Sequence, residues 1–329
     1  MLYAGAKLET AREISRVLEY RKAELDDDNI HESFSQLLNQ LKNSSNHLDI
    51  SNALFASDVT HLLFSYEELL QTKYDAGVQE FNHERNKEAV RDINDWVKEK
   101  TKGKINKIVD DISEDTRLLI LSVIYFNGIW KNKFNSTTSM GIFYNNGKDG
   151  VLVPMMQTIG EFNSFISIDK GIKVLEIPYK DDSISMIIVL PIEFLNLNII
   201  ERNIDADELN RILRQMELET VGVNIPKFKL DVSKKLRNQL INLGIRKAFN
   251  EKADFSGING NYDLYVSDVL HKAVMEVNER GSIVTAASNI QLFYHSSTLS
   301  VFHANHPFLF YVLGRKTNMI LFAGRVQQL

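Results

Sequence analysis

The stretch that decides the fold reads His271-Lys-Ala-Val-Met-Glu-Val-Asn-Glu279-Arg-Gly281-Ser-Ile-Val-Thr-Ala-Ala-Ser-Asn-Ile-Gln-Leu-Phe-Tyr-His-Ser-Ser-Thr298. It opens as a strand and runs into a glycine. Beyond Gly281 the residues are small or uncharged, with no proline, and no residue between Arg280 and His303 carries a formal charge. Read with period two, Ser282, Val284, Ala286, Ser288, Ile290 and Leu292 fall on one face. Ile283, Thr285, Ala287, Asn289, Gln291 and Phe293 fall on the other. The first face is apolar or small throughout, and nothing on it is costly to bury without a partner. This is the pattern of a strand with one buried face.

Outward from this stretch, the C-terminal half is rich in strands. The pattern predicts them at 151–157, 162–168, 172–179, 184–191, 219–230, 263–279, 299–304, 307–313 and 318–326, with helices near 204–218 and 233–243. Arg117 to Phe126 is a continuous β-rich run with no polar side, which suggests a strand covered on both faces. Helical spacing dominates the first third. Phe34, Leu37, Leu38 and Leu41 share a face, as do Ala89, Ile93, Trp96, Val97 and Lys100, in a helix that ends near Gly103. Thr10 is placed to cap a helix carrying Ile14, Val17 and Leu18. The start, Met1 to Lys7, reads as the end of one helix followed by another and lacks the features of a leader peptide.

Composition is that of a globular protein, with 329 residues, 44% hydrophobic and 25% charged. Lys plus Arg (38) less Asp plus Glu (43) gives −5, so the broad basic footprint of a nucleic-acid binder is missing. No apolar run reaches the length a membrane helix needs. Cysteine is absent, which removes disulfides, thiol nucleophiles and zinc–sulfur sites. There are only five prolines and no Gly/Ser-rich linker or repeat. A single α+β domain over 1–329 is the expected organisation, helices early and antiparallel strands late.

Enzyme signatures are missing. No HExxH, Walker loop, GxGxxG or GxSxG occurs. His303 and His306 fall in an apparent strand on opposite faces, a poor metal pair. Asp26-Asp27-Asp28 reads as a solvated loop, and Lys98, Lys100, Lys102, Lys104 and Lys107 as a solvated helix and its end rather than a polyanion site. No cofactor and no metal are expected.

Several blocks, in order along the whole chain, resemble the serpin family. They are Ile93-Asn-Asp-Trp-Val-Lys-Glu-Lys-Thr-Lys-Gly-Lys-Ile105, Ile124-Tyr-Phe-Asn-Gly-Ile-Trp130, Pro154-Met-Met156, Ile225-Pro-Lys-Phe228, His271 to Ser282, and Ala253-Asp-Phe-Ser-Gly-Ile258. His306-Pro-Phe-Leu-Phe-Tyr-Val312 and Ile320-Leu-Phe-Ala-Gly-Arg-Val326 complete the set. The resemblance implies three β-sheets, eight or nine helices and an exposed reactive-centre loop at about 280–300. It implies a suicide inhibitor of serine proteases, chymotrypsin-like or trypsin-like, or less readily of cysteine proteases. The cut loop inserts into the main sheet and drags the acylated protease with it. Serpin loop insertion is itself a standing example of strand addition and of strain release. A monomer that binds neither nucleic acid nor membrane, secreted or alternatively cytoplasmic, is expected. Asn43-Ser-Ser45 and Asn135-Ser-Thr137 are sequons compatible with a secreted glycoprotein.

By the same resemblance, Glu279, Gly281, Ser282, Ile283, Val284, Thr285, Ala286 and Ala287 are the hinge. The family spacing puts the reactive bond at His295–Ser296, or at Tyr294–His295 if the loop is one residue shorter. Trp130 and Lys227 match positions at the sheet opening, where Lys227 can pair with Glu279. His271 matches a histidine lower in the sheet whose asparagine partner is Ser122 here, a shorter side chain whose bond needs a water or is lost. Three departures count. The chain is read as an N-terminally shortened member, lacking a first helix and a buried strand. Ile283 replaces a glutamate. Val284 and Thr285 replace small residues, and their bulk slows insertion. A non-inhibitory serpin (a protease substrate, carrier or chaperone) is therefore the alternative.

Overall fold

The computed structural model describes residues 1–44, 48–135, 139–180, 182–279 and 300–329. The chain packs as two compact units. One comprises Met1–Phe126 and Leu230–Met275, the other Asn127–Lys229 and Glu276–Leu329. In chain order the first elements are α1 (Leu2–Gly5), α2 (Leu8–Val17), α3 (Ile30–Ser44), β1 (Leu48–Ser57), α4 (Phe64–Tyr74), β2 (Ala76–Phe81) and α5 (Asn86–Lys100). Next come β3 (Leu118–Phe126), β4 (Ser139–Asn145), β5 (Asp149–Ser167), β6 (Ile172–Pro178), β7 (Ile184–Pro191), α6 (Leu197–Asn203) and α7 (Ala206–Arg214). The remainder are β8 (Glu217–Pro226), β9 (Phe228–Lys235), α8 (Arg237–Leu243), α9 (Ser256–Asn259), β10 (Asp268–Val277), β11 (Ser300–His303), β12 (Phe308–Gly314) and β13 (Met319–Val326).

The first unit is built on a sheet of order β2-β1-β3-β10-β9. Its central strand β3 alternates between two cores. Leu118 and Ile120 pack with Leu54, Leu70, Phe249 and Phe255. Leu119, Leu121, Val123 and Tyr125 pack with Phe55, Ile93, Trp96 and Val97, the latter three from α5. That double burial is why the 117–126 run shows no polar side. β3 is antiparallel to β1 but parallel to β10, with Leu119–Phe126 matched to Asp268–Met275.

The second unit carries the order β11-β8-β5-β6-β7-β12-β13, with β4 pairing β5. β5 is 19 residues long. It pairs with β8 over Met155–Ser164 and with β6 over Ser164–Ser167. One continuous strand therefore occupies the two segments expected at 151–157 and 162–168. It also joins what the resemblance counts as separate sheets.

Several expectations need correction. Thr10 does not cap α2; that helix starts at Leu8, and Thr10 is buried in its first turn, where its Oγ1 accepts the Asp254 N–H at 2.9 Å. A tertiary partner claims the hydroxyl that sequence assigns to a cap. The 233–243 helix begins only at Arg237, because the exposed, charged Asp231-Val-Ser-Lys-Lys235 continues β9 along the sheet. The 219–230 run is two strands broken at Lys227. His306 lies beyond β11, not within it; its Nε2 sits 2.8 Å from Pro191 O and its ring stacks on Phe194. β1, α4, β2 and α6 were not expected from sequence. β1 opens with Asp49, Ser51 and Asn52, which break its apolar run; in α4 Tyr66, Leu70 and Tyr74 do share one buried face, but the apolar Phe64 is 78% exposed and blurs that stripe.

Candidate functional site

The site is assembled where the chain leaves β10. Trp130 follows β3 by a few residues and is only 2% exposed. Two backbone bonds fix it, Lys131 N–H to Pro178 O at 3.0 Å and Lys180 N–H to Ile129 O at 2.8 Å, so Trp130 and Tyr179 face each other in an isolated bridge. Their rings stack at 4.3 Å and 14°, and Phe134 meets the indole edge-on at 5.8 Å. Burial pushes the Tyr179 phenol well above its ordinary pKa. The polar edge of the indole is turned to the strand exit, where Nε1–H donates to Asn278 O at 2.8 Å.

Next to that carbonyl, Lys227 Nζ lies 2.6 Å from Glu279 Oε1. The Lys227 backbone N–H donates to Pro154 O at 2.9 Å, so the break between β8 and β9 that carries the ammonium is itself anchored. Lys229 and Glu276 form a second pair at 3.0 Å. The last described residues before 280–299 are thus held by an indole and by two cross-strand ion pairs. Glu279, Lys227 and Trp130 come together as sequence expected. Asn278, Tyr179, Lys229 and Glu276 join them without having been singled out. A further polar chain lies beside the stack: Asp182 bonds Lys131 Nζ at 2.6 Å and Arg315 at 3.0 Å, and Arg315 reaches Glu176 at 3.0 Å. The lysine and arginine hold the Asp182 carboxyl below its usual range, the Lys131 bond contributing most. Residues this far apart in sequence leave no local pattern to read.

In the first unit, His271 and Ser122 are register partners in the parallel β3–β10 ladder. The Ser122 backbone beside the imidazole favours its protonated form. Burial outweighs this and holds the imidazole below its ordinary pKa. On β10, Lys272 is 8% exposed and paired with Asp231 of β9. Gly281, Ser282, Ile283, Val284, Thr285, Ala286 and Ala287 of the hinge lie outside the described residues, as do Tyr294, His295 and Ser296. Among the described residues no three His, Asp or Glu side chains gather as a metal site, and no helix is long and apolar enough to cross a membrane.

A family model described as serpin (serine protease inhibitor) matches residues 1–329. The chain belongs to the serpin family. This serpin is 35% identical to intracellular coagulation inhibitor 2 of Tachypleus tridentatus over 336 residues, covering 100% of the chain and 82% of the relative. It is 35% identical to serpin B4 of Homo sapiens, covering 99% and 89%. The structure of mouse protein-Z dependent protease inhibitor superposes with a TM-score of 0.90 at 26% identity, covering 99% and 87%. Uncleaved ovalbumin gives 0.90 at 27%, covering 100% and 89%. The α+β serpin fold expected from the motifs is therefore the fold of this chain, with nine α-helices among the described residues.

Proposed function

We propose that this serpin inhibits serine proteases by presenting residues 280–299 as bait. Once cut, it adds the stretch from Ser282 towards Leu292 to the five-stranded sheet between β3 and β10. The protease serine attacks the carbonyl of His295, or of Tyr294. The new amine end takes a proton and leaves, and the acyl ester travels with the inserting strand.

The observation that carries this reading is the parallel pairing of β3 with β10. A segment that turns back after Glu279 runs antiparallel to both strands. One parallel ladder is then replaced by two antiparallel ones, the more stable pairing. An uncut bait is tethered at its far end and cannot complete this. The indole–Asn278 bond and the Lys227–Glu279 pair hold the segment at its point of departure.

Incubation with chymotrypsin, trypsin and elastase, followed by denaturing gels and mass analysis of the released fragment, tests the reading. An acyl complex near one-to-one stoichiometry, with a fragment beginning at Ser296 or His295, is expected. Val284 and Thr285 favour a second reading, in which slow insertion lets the acyl bond hydrolyse and the serpin behaves as a substrate. Cleavage without complex would select it. A secreted location is part of the proposal, with a cytoplasmic one as the alternative; a mass loss on glycosidase treatment, traced to Asn43 or Asn135, supports the first, and no loss supports the second.

A further inference from the structure

Among the described residues, strand β4 pairs with β5 alone, on one side. In such a ladder the N–H and C=O groups of alternate residues point to opposite sides. The Tyr144 N–H donates to Asn305 O at 2.8 Å, away from β5. Ile142 and Met140, in the same phase, aim their N–H and C=O groups the same way. Among the described residues these four groups have no partner. The side chains beside them are also open: Met140 is 61% exposed, Ile142 48% and Leu152 70%, with Ile142 opposite Leu152 and Met140 opposite Pro154. From Phe134 to Gly147 no residue is charged. Edge strands are normally blunted by lysine, proline or a bulge. β4 has none of these, and its register with β5 is unbroken.

We propose that this edge is a self-association surface, where a second copy of the serpin adds its own β4 antiparallel across a two-fold axis at Gly141. The edge is its own complement. Met140 then pairs with Ile142 of the partner subunit, and Ile142 with Met140 of the partner subunit, so all four free groups are used. Gly141 meets Gly141 of the partner subunit at the close, non-hydrogen-bonded position, where no side chain obstructs the approach. Leu152 and Ile142 continue into Met140 and Pro154 of the partner subunit as one apolar stripe. Each chain carries −5, yet the seam brings no like charges together. The contact is small, so a weak, concentration-dependent dimer takes the place of the monomer expected from sequence.

The chain has no cysteine, so introduced thiols report alone. Met140→Cys and Ile142→Cys chains are prepared separately, then mixed in a glutathione redox buffer. The proposed register sets these positions about 5.5 Å apart at Cα, within disulfide reach. Two copies of the same substitution are out of register. The mixture is expected to cross-link on the order of tenfold faster than either chain alone, because pairing raises the effective concentration. In sedimentation, Ile142→Lys abolishes the concentration dependence shown by the unmodified serpin, with its melting temperature kept. Equal cross-linking in all three samples overturns the proposal, as does sedimentation independent of concentration. Saturable binding of a free Ser139–Asn145 peptide without self-association also overturns it, and assigns the edge to a peptide partner.

Discussion

Cutting the bait is the most informative perturbation, and its size follows from the sheet. The β3–β10 ladder matches Leu119–Phe126 with Asp268–Met275, eight register pairs. An inserted strand replaces it with two ladders of similar length, a net gain of about eight hydrogen bonds, or roughly 8 kcal/mol at about 1 kcal/mol each. Burying Val284, Ile290 and Leu292 adds roughly 2 kcal/mol per side chain, about 6 kcal/mol in all. With an unfolding entropy near 2.1 cal/mol/K per residue, 329 residues correspond to about 0.7 kcal/mol/K. The cut form is therefore expected to melt roughly 20 °C above the intact form. Calorimetry on intact serpin and on serpin clipped between 293 and 297, in the same buffer, measures this. A clipped form that melts at or below the intact form refutes the reasoning, because the severed stretch then gains no ladder.

The remaining predictions concern the site and the main sheet. Trp130→Ala removes a buried ring, its stack on Tyr179 and the Asn278 bond, and should cost about 3–5 kcal/mol, seen as a lowered denaturant midpoint. Lys227→Ala or Glu279→Ala breaks a pair whose side chains are 26% and 29% exposed, at a cost of about 1 kcal/mol, and the charge-swapped double variant should recover most of it in thermal melts. Burial depresses the His271 pKa, so its contribution to stability is complete above the unfolded value of about 6.5 and is lost as pH falls through the folded value. His271→Gln should therefore flatten the fall in urea midpoint between pH 7.5 and pH 5. An unchanged slope would show that this imidazole does not titrate on unfolding.

The sequence alone determined the elements whose burial is one-sided or complete along a short run. The 117–126 strand, the Trp96 helix and the C-terminal strands were legible because each turns a regular face, or every face, to a core. It also determined the family, through long blocks in order, and the meeting of Lys227 with Glu279 at the end of β10. Only the tertiary structure decided β1 and β2, whose polar residues mask those that distant neighbours bury, and α4, whose Tyr66-Leu70-Tyr74 face is masked in sequence by the exposed Phe64. It alone brought Asn278, Tyr179, Asp182 and Arg315 together, since hydrogen bonds and ion pairs between remote segments leave no spacing to read. The edge of β4, open at Met140 and Ile142 among the described residues, belongs to the same class. Whether a strand is flanked on one side or two is a property of the sheet, and no stretch of sequence carries it.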